Sequence, residues 1–252
     1  MKRPRFILAL WIAKLTRLSL KAAGRNATYL PGKIAIGICS NFLGAVGKPN
    51  RIIAVTGTNG KTTVSNLLDD ILEQNGYRVL NNRMGSNVAA GVATSLLSGC
   101  TIWGRSKYPL AVLEIDERSS MNIYPYVRPD FILITNLTRD SIPRNAHPEF
   151  IAGILNKSIP KTSKLILNGD DLISAFLAPE NQRAYFGISR LDTDVSECVN
   201  IINDMPLCPR CGGNLQYDYR RYHHIGHAHC ESCGFHSPDC GYLAEHADQE
   251  AM

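Results

Sequence analysis

A short β-branched run that leads into a glycine-rich turn constrains this chain more than any other feature of its sequence. Residues 51–56 (Arg-Ile-Ile-Ala-Val-Thr) suit a strand that is buried on both faces. Residues 57–63 (Gly-Thr-Asn-Gly-Lys-Thr-Thr) follow directly, and apolar side chains then recur at helical spacing until Asn75-Gly76. The sequence therefore predicts a strand, a tight turn and a helix, an arrangement that can hold phosphate groups at the helix N-terminus.

The turn carries the residue types of a triphosphate site. Gly57 and Gly60 allow the backbone to turn tightly, so that its N–H groups approach phosphate oxygens at the positive end of the helix dipole. Lys61 is placed to reach the terminal phosphates, and the Thr62 hydroxyl to ligate magnesium. The general P-loop pattern asks for a further glycine upstream, where this sequence has none. The alternative is a glycine turn without a ligand, in which the lysine and threonines would have no role.

Four of the eight cysteines form two Cys-x-x-Cys pairs. Cys208 and Cys211 are separated from Cys230 and Cys233 by a span that suits a β-hairpin, and this spacing is the pattern of a four-cysteine zinc ribbon. A glycine follows each pair and permits the backbone turn that directs N–H groups at the thiolates. Because four thiolates close the coordination sphere, the predicted zinc site is structural rather than catalytic.

Two alternatives to a structural zinc ribbon stay open at the level of the sequence. A redox dithiol would need only one Cys-x-x-Cys pair. A nucleic-acid-binding ribbon is favoured by basic and aromatic residues of the hairpin, although such residues are common in solvated hairpins, and we expect no nucleic acid. These residues are Tyr217, Tyr219, Arg220, Arg221 and Tyr222.

Composition indicates a folded protein of a reducing compartment. A chain of 252 residues with 44% hydrophobic content can bury a core as one or two domains. The formal charge of +5 suits an anionic substrate or a membrane surface without requiring nucleic acid. The apolar run of residues 6–13 is too short to span a bilayer, and no credible signal peptide precedes it. We therefore expect a cytoplasmic protein, peripheral at the inner face of the membrane if the N-terminal helix binds lipid.

The N-terminal residues 2–21 predict a basic amphipathic helix. One interpretation is an interfacial helix that lies on anionic lipid, and the other is an ordinary helix whose apolar face packs on the domain. One helical face would carry Ile7, Trp11, Leu15 and Leu18, and another Lys14, Arg17 and Lys21.

A second candidate for metal binding follows a later apolar strand. Residues 110–117 end in three carboxylates, Glu114, Asp116 and Glu117. Ligands of an open parallel sheet gather at the carboxyl ends of its strands, so a carboxylate there can face the phosphate loop and hold magnesium. Asp116 and Glu117 are the weaker candidates, because acidic residues after a strand are often only solvated.

The remaining pattern alternates strands and helices, which predicts a doubly wound, mostly parallel α/β sheet with an appended or inserted zinc ribbon. Further strands are expected at residues 77–80, 131–136, 164–168 and 183–188, and helices at 34–43, 87–97 and 147–159. The predicted divisions are a lead-in at 1–50, a central domain at 51–200, the ribbon at 201–240 and a tail at 241–252.

The loop sequence Thr-Gly-Thr-Asn-Gly-Lys-Thr-Thr (residues 56–63) resembles the ATP-binding loop of the Mur ligase family, which joins amino acids or ammonia to peptidoglycan precursors. The resemblance implies a P-loop type central domain with Lys61 and Glu114 as catalytic residues. It further implies that Thr62 and Glu114 bind Mg²⁺ and that Asn87 lies near the γ-phosphate, although a Ser86 helix cap is an equal alternative for that segment. ATP would be bound by Gly57, Thr58, Asn59, Gly60, Lys61, Thr62 and Thr63.

One loop departs from the common family pattern. Residues 136–140 (Asn-Leu-Thr-Arg-Asp) resemble a branch of the family that lacks the usual metal-binding histidine after the aspartate. Residues 142–145 depart from that branch too, which leaves metal or substrate contacts from this loop open.

The loop together with the ribbon implies a specific activity. The resembling branch uses ATP, Mg²⁺ and a Zn²⁺ ribbon to amidate the D-glutamate α-carboxyl of lipid II through an acyl phosphate. Its ammonia comes from a GatD-like glutamine amidotransferase subunit in a heterodimer. The family's C-terminal domain is not found in this sequence. Alternatives are therefore a truncated, non-catalytic nucleotide-binding or docking module, or another Mur-type amino-acid ligase.

Overall fold

The fold is an α/β sheet with a small antiparallel ribbon, seen in a computed structural model that describes residues 3–139, 147–198 and 203–245. The helices are α1 (Arg3–Ala22), α2 (Leu30–Ile38), α3 (Phe42–Ala45), α4 (Lys61–Gln74), α5 (Ala89–Ser98), α6 (Ser120–Ile123), α7 (Pro148–Ser158) and α8 (Leu172–Ala175). The strands are β1 (Arg51–Thr56), β2 (Val79–Asn81), β3 (Leu110–Glu114), β4 (Phe131–Ile134), β5 (Lys164–Asn168), β6 (Arg183–Ile188), β7 (Gln216–Tyr222), β8 (Ile225–Cys230), β9 (Phe235–His236) and β10 (Tyr242–Ala244).

Seven strands form one sheet in the order β10-β6-β5-β4-β1-β3-β2, and every neighbouring pair is parallel. The chain adds β2 and β3 on one side of β1 and β4 to β6 on the other. The carboxyl ends of β1, β3 and β4 therefore meet at the point where the strand order reverses, which is the usual ligand site of such sheets.

Both faces of the central strand β1 are buried, as its β-branched run predicts. Ile52 and Ala54 belong to the large core that α1, α2 and α5 cover. Val55 lies on the opposite face, where Val64 and Leu68 of α4 pack. The alternation holds β1 in register and fixes the turn that follows it.

Strands β7, β8 and β9 form a separate antiparallel sheet, and its small core also contains Leu172 of α8. This ribbon stands between β6 and β10 in the chain, so it is inserted into the large sheet. The predicted fold class, a mostly parallel sheet with an added four-cysteine ribbon, is confirmed.

Two details differ from the expectation. The second helix begins at Leu30 and takes Pro31 into its first turn, where proline is tolerated because that N–H has no intrahelical acceptor. A separate short helix, α3, then holds Leu43. Strand β10 lies in the segment assigned above to a tail, and its three exposed residues carry no alternating pattern that would predict it. Across the described residues, the helices are all too short or too polar to span a bilayer.

Candidate functional site

The phosphate loop between β1 and α4 owes its shape to two glycines. Gly57 has a φ of 124°, and a Cβ there would lie 2.3 Å from the Thr135 hydroxyl oxygen, so any side chain would collide with β4. Gly60 has a φ of 79° and precedes the first residue of α4. The N–H groups of the first turn of α4 have no intrahelical acceptors and face the loop opening, which is the donor arrangement for an anion.

Lys61 folds back over this loop. Its ammonium donates hydrogen bonds to the carbonyl oxygens of Gly57 and of Thr58, the latter at 3.1 Å. It also forms an ion pair of 3.0 Å with Glu117 Oε1. The loop thus gathers one cation and several N–H donors around a single concave turn.

Thr62 and Glu114 meet across the loop, as the motif predicts. The Thr62 hydroxyl donates a hydrogen bond of 2.8 Å to Glu114 Oε2, and Asn87 Nδ2 donates one of 3.0 Å to Glu114 Oε1. Asn82 fixes the backbone of the same glutamate through two bonds of 2.8 Å. A hydroxyl and a carboxylate held side by side are the oxygen donors that Mg²⁺ prefers, so this pair fits that ion.

Asn87 therefore contacts the glutamate directly. The alternative of a Ser86 helix cap is not supported, because α5 begins at Ala89 with Val88 in the cap position and no side-chain cap bond.

The loop after β4 braces the phosphate loop from the other side. Asn136 O accepts from Thr58 N at 2.7 Å, and Asn136 Oδ1 accepts from Asn59 N at 3.1 Å. Thr138 bonds both residues as well, through its hydroxyl to Asn59 Nδ2 at 2.8 Å and through its N–H to the Thr58 hydroxyl. Asp140 and residues 142–145 lie outside the described residues.

Glu117 contacts the phosphate loop directly, although the sequence marks it as one of the weaker candidates. Only 2% of its side chain is exposed, and its Oε1 accepts from both Lys61 Nζ and Gly57 N, the latter at 3.1 Å. Burial raises the pKa of this carboxyl, while the Lys61 charge opposes the shift. Asp116, by contrast, accepts from Ser119 N at 3.0 Å and caps a local turn.

The four cysteine sulfurs of the ribbon converge. All lie within 4.8 Å of one another, and the Cys208–Cys233 and Cys211–Cys230 sulfurs are each 3.6 Å apart. Zinc–sulfur bonds of about 2.3 Å in a tetrahedron require sulfurs about 3.8 Å apart, so the cluster fits this metal.

The knuckle backbone fits the same metal. Arg210 N and Gly213 N each approach a sulfur of the first pair at 3.4 Å, and Gly212 and Gly234 take positive φ values of 73° and 67°. These turns direct donors at thiolates, as the glycines after each pair predict.

A buried polar chain joins the ribbon to the phosphate loop, and the sequence does not reveal it. His224, at the tip of the β7–β8 hairpin, bonds Asp171 Oδ1 at 2.8 Å, and both side chains are fully buried. Asp171 caps α8 through Ile173 N and accepts from Leu137 N at 2.6 Å. Leu137 lies between Asn136 and Thr138, which contact the phosphate loop, so the ribbon is linked through Asp171 to the loop that supports the phosphate loop.

The fold and the loop define an α/β domain of the P-loop type, with its glycine loop at the switch point of a parallel sheet. Sequence comparison then gives the family. The Mur ligase middle domain matches residues 55–199, more than half of the chain, and the chain belongs to the Mur ligase family.

Individual relatives agree with that family. The chain is 34% identical over 237 residues to the lipid II isoglutaminyl synthase (glutamine-hydrolyzing) subunit MurT of Staphylococcus aureus strain COL, covering 93% of this chain and 53% of that subunit. The corresponding subunit of Streptococcus pneumoniae is 33% identical over 237 residues, or 93% of this chain and 52% of that one. This chain therefore spans about half the length of the curated relatives that it matches.

A solved structure shows the same fold. The pseudomurein peptide ligase type C from Methanothermus fervidus superposes with a TM-score of 0.60 at 25% identity, over 83% of this chain and 40% of that chain. The resemblance drawn from the loop and the ribbon is thereby confirmed.

Proposed function

We propose that this chain is the nucleotide-binding part of an ATP-dependent carbon–nitrogen ligase of peptidoglycan synthesis. One observation carries the proposal: Lys61, Thr62 and Glu114 meet at one edge of the sheet in a chain that is 34% identical to a MurT subunit. A phosphate-binding loop, a hydroxyl and a carboxylate are the parts that phosphoryl transfer requires.

The proposed reaction has two steps. An oxygen of the D-glutamate α-carboxylate in lipid II attacks the γ-phosphorus of ATP, and the bond to ADP breaks. Ammonia then attacks the acyl carbon, loses a proton and expels phosphate, which leaves D-isoglutamine. The protein contributes position and charge neutralisation to both steps.

The residue roles follow from the contacts. The N–H groups of residues 60–63 hold the triphosphate, because those of Gly57, Thr58 and Asn59 already donate to Glu117 and Asn136. Lys61 exchanges its carbonyl acceptors for phosphate oxygens. Thr62 and Glu114 hold Mg²⁺, which would neutralise charge on the phosphates. Asn87 and Asn82 keep Glu114 oriented toward Thr62.

The ribbon is proposed to hold one structural Zn²⁺ through Cys208, Cys211, Cys230 and Cys233. Four thiolate ligands leave no open position, so the metal would stabilise the ribbon and take no part in the reaction.

The partner and location are part of the same proposal. Ammonia is proposed to come from a GatD-like glutamine amidotransferase, because the similar subunits are named as parts of a glutamine-hydrolyzing synthase. Such a protein would work in the cytoplasm, where lipid II presents its peptide at the inner face of the membrane. The division into a lead-in (1–50), a central domain (51–200), a ribbon (201–240) and a tail (241–252) is likewise proposed, with the β10–β6 pairing drawing residues 242–244 into the central sheet.

Substitution of Lys61 tests the proposal. We expect Lys61→Ala to weaken Mg-ATP binding about tenfold to a hundredfold in calorimetry, since a charged hydrogen-bond donor to phosphate is lost. Lys161→Ala, at a lysine with 82% of its side chain exposed, is the matched control and should bind normally.

Turnover is measured with the full protein, the glutaminase and lipid II. Isoglutamine formation should disappear in Lys61→Ala and persist in Lys161→Ala, and unchanged turnover in Lys61→Ala would refute the assignment. Nucleotide binding without any product, even with free ammonia, would favour the non-catalytic docking module. Product formed only with an added amino acid would favour another Mur-type ligase.

A further inference from the structure

Charge is distributed very unevenly along this chain. Residues 1–68 contain eleven lysines and arginines and no aspartate or glutamate. The remainder of the chain has 16 basic against 22 acidic residues, so it is net acidic although the whole chain is basic. A basic segment of this kind attracts an anionic surface.

Helix α1 lies within that basic segment and has two apolar faces. One face packs into the large core through Phe6, Leu10 and Ala13. The opposite face, which we name the outward face, consists of Leu8, Trp11, Leu15 and Leu18, at helical spacing and all exposed, with Leu15 and Leu18 exposed by 64% and 66%. Packing in the core accounts for the apolar residues of the first face, but it does not account for those of the outward face.

A neighbouring loop extends the outward face. Trp11 Nε1 donates a hydrogen bond of 2.9 Å to Ile102 O, and the Trp11 and Trp103 rings meet edge to face at 6.1 Å. Trp103 is itself 64% exposed. A groove of about 890 Å³ is lined by both tryptophans and by Arg105. Exposed tryptophans beside arginine are typical of surfaces that enter the lipid headgroup region.

Basic side chains also border the outward face toward the C-terminal end of α1. Arg17, Lys21 and Arg25 line a cavity of about 510 Å³ that extends to Asn81 and Asn82 at the carboxyl end of β2. Asn82 is the residue that fixes the backbone of Glu114. These cations therefore line a cavity that reaches the strand end next to the proposed site.

We propose that the outward face docks this protein on a bilayer of anionic phospholipid. The leucines and tryptophans enter the headgroup boundary, while Lys21, one helical turn from Leu18, and Arg105, beside the two tryptophans, contact lipid phosphates. These two cations select this occupant over an uncharged apolar partner. A second copy of the chain is disfavoured, because two copies would bring the same cations together.

The docking proposal depends on these residues alone. The purpose that docking would serve depends on the proposed function. A lipid-linked acceptor is confined to the bilayer surface, so docking would bring its anionic head group to the cavity that leads toward Glu114. Docking of this kind would therefore favour a membrane-bound substrate over one that is free in solution.

Tryptophan fluorescence tests the docking directly, since Trp11 and Trp103 are the two tryptophans of the chain. We expect this 252-residue chain to sediment with vesicles of phosphatidylglycerol and phosphatidylcholine in equal parts, with a blue-shifted emission. Vesicles of phosphatidylcholine alone should bind less, and 1 M salt should weaken binding, because the Debye length falls to about 3 Å.

Leu15→Glu/Leu18→Glu is the decisive variant, because both leucines are about two-thirds exposed and lie outside the large core. We expect it to lower vesicle binding by about tenfold or more. Leu67→Glu/Ile71→Glu is the matched control on α4, where the exposed apolar side chains lie among acidic residues, and it should bind as the wild type does.

Several outcomes would overturn the docking. These are no sedimentation with anionic vesicles, sedimentation without a change in tryptophan emission, equal binding by Leu15→Glu/Leu18→Glu, or a dimer in light scattering that this variant dissociates. Mg-ATP calorimetry on the wild-type protein separates the two proposals. Vesicle binding without Mg-ATP binding would leave the docking intact and remove the ligase function.

Discussion

Glu117 places a carboxylate inside the phosphate loop, in contact with the lysine that would serve the triphosphate. Its Oε1 is bonded to Lys61 Nζ at 3.0 Å and to Gly57 N at 3.1 Å. Because the side chain is almost fully buried, the charge is expensive to desolvate, and the pKa of the carboxyl is raised despite the lysine. Glu117 therefore holds Lys61 against the loop at a cost in stability.

Glu117→Gln should reveal that cost in the pH dependence of the free energy of unfolding. A carboxyl whose folded pKa is raised contributes stability below its unfolded pKa of about 4.3, and that contribution is lost as pH rises through the folded pKa. Glutamine does not titrate. The free energy of unfolding of the wild type minus that of Glu117→Gln should therefore fall as pH rises above about 4.3 and then level off, measured by urea unfolding across this range.

Glu180→Gln supplies the control for this measurement. Glu180 pairs with Lys161 at 2.7 Å on the surface, and the hydrogen bond and charge of that lysine lower the pKa of its carboxyl. Any difference from wild type should be small and of opposite sign, because its contribution disappears as pH falls. A difference at Glu117 that grows with pH would mean that attraction by Lys61 outweighs burial.

For individual residues, the sequence predicts local geometry well, but it predicts poorly which side chains far apart in the chain form pairs. Thr62 and Glu114 could be brought together because a loop after one strand and the end of its parallel neighbour must share a sheet edge. The Glu117–Lys61 pair could not be predicted, since the turn after β3 decides which carboxylate points inward. Likewise nothing local to His224 indicates Asp171 as its partner.

Between elements, the tip of the ribbon hairpin acts as a brace for the loop after β4. His224 bonds Asp171, and Asp171 holds Leu137 N. The backbone contact of Gly226 N with Asp170 O at 2.7 Å adds a second link. The hairpin therefore limits the movement of a loop whose other side contacts the phosphate loop.

His224→Ala should loosen that brace. We expect a loss of about 2–4 kcal/mol in the free energy of unfolding, because a buried ring is removed and a buried carboxylate loses a donor. Hydrogen exchange at the Leu137 amide should accelerate, since Asp171 is then less firmly held. Urea unfolding and mass-resolved exchange measure the two effects.

His227→Ala is the matched control on the same hairpin. Its ring bonds Asp218 at 2.6 Å on the surface, with 39% of the side chain exposed. The change should cost less than about 1 kcal/mol and leave Leu137 exchange unaltered. Equal effects from the two histidine substitutions would contradict a specific role for the buried pair.

The sequence predicts most of the large sheet's strands because their apolar runs are short, β-branched and bounded by turns. Residues 164–168 and 183–188 form strands with the expected bounds. Strand β10 escapes prediction because an exposed edge strand of three residues has its pattern set by its partner β6 rather than by burial. The contact of α2 with α5 is equally non-local, since Gly32 is required there by the approach of Ala90 O.

The large sheet and the ribbon differ in how much buried apolar surface stabilises them. The large sheet is stabilised by an extensive core on one face and by α4 on the other. The ribbon has only a small core, built around Leu215, Tyr217 and Phe235 with two of the cysteines, and it shares this core with Leu172 of α8. So few buried apolar side chains cannot fold 40 residues alone, which gives the proposed zinc a folding role.

Metal removal should therefore unfold the ribbon and spare the sheet. A chelator should expose Arg220 and Arg221 to trypsin, since Arg220 is buried and Arg221 half-buried in the intact ribbon. Cleavage should begin at these two arginines, and far-UV circular dichroism should keep most of its helical signal because no long helix lies in the described residues of the ribbon. Mass spectrometry of the fragments identifies the sites.

Two cysteine substitutions separate the metal from thiol chemistry in general. Cys211→Ser removes an exposed member of the cluster and should reproduce the chelator's cleavage pattern, with about one equivalent of zinc lost. Cys240→Ser, at a half-buried thiol outside the cluster, should keep both the metal and the resistance to trypsin. If the ribbon stayed resistant in Cys211→Ser, its small core and its contacts with Asp170 and Asp171 would be sufficient for its fold, and the zinc would have no structural role.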